Sequence, residues 1–465
     1  MADEAKINSK WYVGYLLCIL FFALTIWSFY PGLMSADSIA GLSEGRNNSY
    51  SDILSPLMSY LWGIFDRIIE GPGLMLIFQN LIFWSACAIF WRATYKKSFW
   101  LGFALILFGF LPQIISQLPF IWKDIGLGAS LFLAAALVYL ADREKSKTAL
   151  LISLLFLFYG FAVRLNALPA ILPLAIWSGF VFCRVFEINK RKFVPLLVGI
   201  IYLIALSLAV FIVNGRLTDG KTVYPFQQIY LYDLAAISTA RDEALFPEYI
   251  LQNENFSLEK VKARYNKNAV SDLIFPNLPN QGDVPVLKLS SEAEEVSALR
   301  QKWLEAVAEN PLMYLSHRIK IFAQLNGLAR STGPPTWQVG FSGNPPEYRG
   351  GENFGYQVFI KYLKTFRRPF PQTFSYRAVL WFLVCGIFIY KAVRRKLNGD
   401  WEIVFVLSIS SILYALAYFP TAPSTEFRYL FWSAISSAVA VIFGIYLRRT
   451  EKRETGLKQK DEKES

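Results

Sequence analysis

The 465-residue sequence contains one histidine, His317, and four cysteines, Cys18, Cys87, Cys183 and Cys385. A lone histidine rules out a His-based metal centre. The cysteines all lie inside apolar runs, and neither a CxxC nor a Cys/His ligand spacing occurs, so neither a zinc site nor a disulfide is expected. Charge is also scarce, at 18% of residues against 54% hydrophobic and 16% aromatic. The apolar residues come in blocks of roughly 17 to 22, the thickness of a bilayer core, rather than with amphipathic spacing. Such a chain is an integral membrane protein, and its organisation has to be read from topology. The formal net charge of +12 does not imply nucleic acid, because Lys and Arg gather in short loops between apolar blocks and in the tail "LRRTEKRETGLKQKDEKES", the pattern that marks cytoplasmic loops.

With Lys6 and Lys10 taken as cytoplasmic, an uncleaved first span over 11–30 delivers a polar segment, 31–71, to the far side. Within it "SPLMSYLWGIFDRIIEG" is too short to span and reads as an interfacial helix that Ser55 and Pro56 start. Further spans are expected over 74–91, 100–112, 125–140, a stretch ending near 163, a stretch ending at "CRVFEINKRK", and 193–213. Residues 214–377 have ordinary soluble composition and include a strong helical pattern, "QKWLEAVAENPLMYLSHRIKIFAQL". Spans over 378–390, a stretch rising to "YFPTAPSTEFRY", and 430–446 lead to the basic tail. The loops "RATYKK", "DREKSKT", "CRVFEINKRK" and "KAVRRK" all fall on one side, so one parity serves the whole chain. The expected fold is an α-helical polytopic membrane protein of about ten spans with both termini cytoplasmic. Its parts are an N-terminal membrane module (1–213) with its outer loop at 31–71, an extracytoplasmic, mainly helical domain (214–377), C-terminal spans (378–447) and a cytoplasmic tail (448–465). No internal repeat or low-complexity segment is visible, which counts against a transporter built from duplicated halves.

The outer face collects ionisable residues that a lipid anchor does not need: Asp37, Glu44, Asp52, Lys123, Asp124, Arg164, Glu426 and Arg428. Charges beside hydrocarbon are costly unless paired or wet, so their recurrence on one side points to a shared polar cavity. Each also has a plainer reading. Asp37 caps a helix beginning at Ser38, Asp52 caps the turn before Ser55, and Asp124 caps the fourth span. Lys123 and Arg164 snorkel, Glu426 and Arg428 form a surface ion pair, and His317 is an interfacial or surface residue.

"YPGLMSADSIAGL" followed by "YSDILSPLMSYLWGI" resembles the first outer loop of the GT-C glycosyltransferases, in which an Asp lies near the loop's start and two interfacial helices follow. The similarity is to protein O-mannosyltransferases, lipid A aminoarabinose transferases and related bacterial enzymes. "IWKD", "RLNALPAILPL", "WLEAVAENPLMYLSHR" and "EFRYLFW" resemble segments of uncharacterised bacterial members. The architecture covers nearly the whole chain, whereas the loop motif is short. Two departures stand out: many relatives have a His before the Pro where this chain has Ser55, and no clear DxD is present. The sequence therefore leaves a divalent cation open without requiring one.

The resemblance implies transfer of a sugar from a polyprenyl-phosphate donor to an acceptor hydroxyl on an envelope glycan, lipid or protein, with inversion, at the outer face of a bacterial inner membrane. Membrane lipid is the other implied partner, and nucleic acid is not one. Asp37 matches the family's base by position. Lys123, Arg164 and Arg428 are the candidates to hold the donor phosphate, and Asp52, Asp124 and Glu426 those to orient the acceptor or a cation. Different classes of reading remain: a polyprenyl-linked glycan flippase or other transporter, an O-antigen ligase or polymerase, and a noncatalytic assembly protein. The topology is directly testable. Reporters fused after Lys97, Lys147, Arg191 and Lys396 should signal from the cytoplasm, and those near Gly282 and Ser424 from outside. A cytoplasmic signal near Gly282 would invert the scheme and remove the enzyme reading.

Overall fold

The computed structural model describes residues 11–188, 193–220, 222–275, 285–329, 340–365 and 375–464. Among these the chain is helical throughout, with isolated bridges but no strand. Seven helices are long and apolar enough to cross a membrane: Trp11–Phe29, Gly73–Thr94, Lys123–Glu144, Leu165–Val185, Phe193–Leu217, Trp401–Thr421 and Phe427–Thr455. The other three expected spans are helices too, but shorter. Phe99–Leu107 tightens into a 3-10 turn, Phe108–Phe110, ahead of Pro112, while Lys147–Val163 and Ala378–Arg394 have 17 residues each.

Helix Lys123–Glu144 is the axis of the bundle, since its whole apolar stretch is buried inside the protein. Small residues make this packing feasible. A side chain at Gly128 would lie 2.5 Å from the Phe431 ring, so only glycine admits the last span this closely, as at other close-packed membrane helix crossings. Around the axis stand Gly73–Thr94, Lys147–Val163, Leu168–Val185 and Phe431–Glu464. Phe193–Leu217, by contrast, is buried over only 17% of its apolar stretch and exposes Phe193, Ile204, Leu208 and Phe211. That is the pattern of a peripheral, lipid-facing helix.

Two ends of the bundle are defined by contacts. At one, Arg92 pairs with Glu144, Lys97 and Arg143 with Asp400, Arg184 with Asp142 and Glu402, and Arg395 with Glu451. All four basic loops therefore share this basic-loop end. At the other, segments 31–71, 116–124 and 422–430 meet the described parts of 214–365. The 214–377 segment is not a free appendage here. Asn344 accepts from Met34 N–H at 2.9 Å and donates to the Gly32 carbonyl at 2.8 Å, and Ala269 bridges to Ser424.

Several local expectations are corrected. The helix after the first span begins at Ala36 rather than Ser38, behind an N-cap at Ser35. The tail is not a separate element, because the last helix runs unbroken from Phe431 to Glu464. His317 is 5% exposed, not a surface residue: its helix packs it against Asp233, Tyr232 and Tyr265. Ser55 does start Pro56–Asp66, its hydroxyl accepting from Met58 N–H at 3.3 Å.

The two helices of the first loop, Ala36–Asn47 and Pro56–Asp66, cross backbone to backbone at Gly45 and Gly63. A Cβ on Gly45 would lie 2.5 Å from the Ser59 carbonyl oxygen and 2.8 Å from Gly63 N. Rigid backbone cannot yield as a side-chain tip can. Gly45→Val is expected to lower stability by about 1–3 kcal/mol, the usual cost of overpacking, measurable as a lower melting temperature of the detergent-solubilised protein. Gly220→Ala is not an equivalent control, because φ at that position is +70°; Gly215→Ala is, since nothing lies within 4 Å there.

Candidate active site

The site is built where two helix starts are tied together. Ser38 Oγ accepts from Ser35 N–H at 3.1 Å and donates to the Ile121 carbonyl at 2.8 Å, while Trp122 Nε1 donates to Ser35 Oγ at 2.8 Å. Leu33 N–H donates to Pro119 O, and Ile121 N–H to Leu33 O. These bonds lay the strand-like segment 119–122 against 33–35. They bring Asp37, in the first turn of one helix, next to Lys123 and Asp124, in the first turn of another. Both helices present their positive dipole ends to the same region.

Asp37 does not cap its helix. Its carboxylate instead meets Arg428, Nη1 to Oδ2 at 2.6 Å, across 391 residues of sequence. Glu426 holds the Nε edge of the same guanidinium. The expected Glu426–Arg428 pair does form, but with side chains 33% and 11% exposed it is not a solvated surface pair, and Asp37, 46% exposed, is a second partner of the same guanidinium. The guanidinium also lies over the Trp122 ring at 4.9 Å and near Tyr429 at 5.3 Å, a stacked geometry that suits Arg and not Lys. Arg428 holds the Asp37 carboxyl below the usual carboxylate range. Partial burial opposes this, and Lys123 and Arg164 add to it.

Arg164 does not snorkel. It pairs with Asp124 at 2.8 Å, the two side chains being 9% and 1% exposed, and its Nε donates to Tyr418 Oη at 3.0 Å. Tyr429 packs against Arg164 as well, at 4.9 Å, and stacks on Tyr418. One tyrosine ring thus touches both guanidiniums. Asp124 is neither a cap nor solvent-facing, the N-cap position being Trp122.

Lys123 is different. Its Nζ donates to the Ile53 carbonyl at 2.7 Å, and among the described residues it makes no ion pair. It also lines two cavities. The smaller, about 30 Å³, lies beside Asp37, Ser55, Trp122 and Arg428; that is room for a water or a hydroxyl. The larger, about 360 Å³, has an apolar wall that includes Ala162, Val163, Leu165, Phe226 and Ile229, with Lys123 and Arg164 as its cations.

Asp52 lines this larger cavity, but both its oxygens are taken, by the Thr222 hydroxyl and by Val223 N–H at 2.7 Å. It ties the first loop to the start of the 214–377 segment. Glu44 is likewise committed, accepting from Ser51 N–H and hydroxyl and from Ser59 Oγ; burial pushes its carboxyl up, against these bonds.

The structure therefore brings Asp37, Lys123, Asp124, Arg164, Glu426 and Arg428 together and gives Asp52 a structural partner. Sequence reading missed the aromatic frame of Trp122, Tyr418 and Tyr429. Its signal was there, since Trp122 stands inside "IWKD" and Tyr418 and Tyr429 open and close "YFPTAPSTEFRY". Among the described residues no group of three or more His, Cys, Asp or Glu is placed to hold a metal ion. No family model, curated protein or solved structure matches the chain.

The two ion pairs should respond differently to loss of their cation. Arg164→Ala leaves a buried, unpaired Asp124 and is expected to destabilise by about 3–5 kcal/mol, with Arg164→Ala/Asp124→Ala recovering part of the loss. Arg428→Ala should cost less, because water can reach Asp37. Unfolding of the detergent-solubilised variants ranks them, and equal losses for the two single variants would contradict the burial argument.

Proposed function

We propose that the chain is a membrane glycosyltransferase of GT-C-like architecture that moves a sugar from a polyprenyl phosphate to a hydroxyl of a cell-envelope acceptor, with inversion. The observation that carries this reading is the position of Lys123. Lys123, which makes no ion pair among the described residues, is part of the wall of both the larger apolar cavity and the small one beside the Asp37 carboxylate. An anionic head on an apolar tail is the ligand that such a wall suits.

In this reading the tail lies along the apolar cavity, and Lys123, Arg164 and Arg428 face the phosphate. The acceptor hydroxyl gives its proton to Asp37 while its oxygen bonds to the anomeric carbon. The bond from that carbon to the phosphate oxygen breaks, and its electron pair leaves with the polyprenyl phosphate. No general acid is required, since the leaving phosphate is stable as an anion. Arg428 weakens Asp37 as a base so long as it pairs with it directly; a donor phosphate claims part of that guanidinium and restores basicity when the acceptor arrives. Asp124 and Glu426 position the arginines. The proposal includes about ten spans, three of them short, in a bacterial inner membrane, with the basic-loop end cytoplasmic.

Comparing envelope glycolipids by mass spectrometry with and without the gene identifies the product, and transfer is then assayed with the corresponding donor. Asp37→Asn should lower transfer by about 10² to 10⁴ while leaving the fold intact, because Ser35 and Ser38 make the helix start. Asp37 must be ionised to act, and its pKa is depressed, so activity should persist as pH falls and be lost only below ~4, the usual carboxylate value. Transfer by Asp37→Asn near the wild-type rate would remove this residue as the base.

A further inference from the structure

We propose that the basic-loop end carries a second ligand site, which binds the phosphodiester headgroup of an anionic membrane lipid. This inference does not depend on the transferase reading. A cavity of about 470 Å³ is enclosed there by Trp11 and Tyr15 of the first span, Arg92, Tyr95 and Lys96 at the end of the second long span, and Arg143 and Glu144 at the end of the axis helix. Its size falls within the range of ligand pockets.

Its charge is unbalanced and its donors are aimed by neighbours. Three cations line it against one carboxylate. Glu144 clamps Arg92 through Nε at 3.0 Å and Nη2 at 2.7 Å, which fixes the guanidinium plane and leaves Nη1 outside that clamp. Arg143 is anchored by Asp400 and lies over the Tyr139 ring at 5.2 Å. Lys96 also lines the cavity and makes no ion pair among the described residues. Phosphate oxygens match this set: guanidiniums take them in pairs and an ammonium binds them as a point charge.

The source is a lipid because of where the cavity sits. Exposed Trp11, Tyr12 and Trp100 surround the same ends of the spans, with Tyr95 stacked on Trp91. Trp and Tyr concentrate at the level of lipid headgroups. Basic pockets between spans at that level are lipid-headgroup sites by their chemistry, and a zwitterionic headgroup brings its own cation into a cavity that already has an excess.

The test titrates the full-length detergent-purified protein, by native mass spectrometry, with phosphatidylglycerol, with phosphatidylcholine of the same chains, and with inorganic phosphate. Phosphatidylglycerol should bind wild type in preference to phosphatidylcholine. Lys96→Gln should weaken it about fivefold, the loss of one lysine contact at a membrane surface, and Lys96→Glu further. Lys147→Gln, at the same end but over the Phe186 ring and outside the cavity, should leave it unchanged. Equal binding of the two lipids, or equal loss in Lys147→Gln and Lys96→Gln, overturns the site. Competition by inorganic phosphate at matched concentration overturns the lipid as its source. The comparison of lipids on wild type decides the matter even where a variant fails to fold.

Discussion

An ionised side chain at the end of a buried helix has to find its counter-ion within the protein, and much of this bundle follows from that requirement. Asp124 starts a helix whose apolar stretch is wholly enclosed. Its partner Arg164 caps the end of the following helix, Lys147–Val163, and is itself held by Tyr418 of a third helix. The desolvation cost of each charge is several kcal/mol when it stands alone, so the three helix ends are fixed relative to one another. Arg428 extends the arrangement. Stacked on Trp122 and sharing Tyr429 with Arg164, it reaches Asp37 and so joins the first loop to the last span.

The same logic anchors the 214–377 segment. Arg318 and Asp233, both wholly buried, pair at 2.7 Å, Trp303 Nε1 donates to the same carboxylate, and Arg318 donates to the Ala422 carbonyl. Ala422 precedes the turn that carries Glu426 and Arg428, so a buried charge pair in the 214–377 segment ties down the chain where it enters the site. His317 beside this pair is not a pH sensor in the physiological range. Burial, and then Arg318 and Lys320, push its imidazole down to about 3, which leaves it neutral.

The length of the apolar blocks made the spans legible in the sequence, and the charge of the loops made the two ends legible. The basic loops meet at one end and the ionisable residues between spans at the other, as the parity requires. The proximity of Asp37, Asp124, Arg164 and Arg428 was legible because hydrocarbon offers charges no other refuge. Partner identity was not. Nothing in the local sequence of Asp52 points to Thr222, and a lone His in an amphipathic helix reads as exposed until the helix's neighbours are known. Reading Asp37 as a cap also misplaced the helix start at Ser38, because the cap there depends on a serine pair locked to a distant backbone carbonyl.

The two ends use the same residue types with different consequences. At the basic-loop end the pairing arginines keep a third or more of their side-chain surface, with Arg92 51% exposed and Arg184 36%, so most of those pairs tie loops together at little gain. At the site end Arg164 and Arg428 are 9% and 11% exposed, and water screens them far less. A cation held there by carboxylates and rings keeps its field directed into the adjoining cavity without having to reorganise when an anion enters. Among the ion-paired residues of that cluster Asp37 keeps the most access to water, at 46% of its side-chain surface against 33% for Glu426. Asp37 is thus the carboxylate of the cluster that water reaches most readily, set against an arginine whose side chain is largely buried and held by a second carboxylate and two aromatic rings.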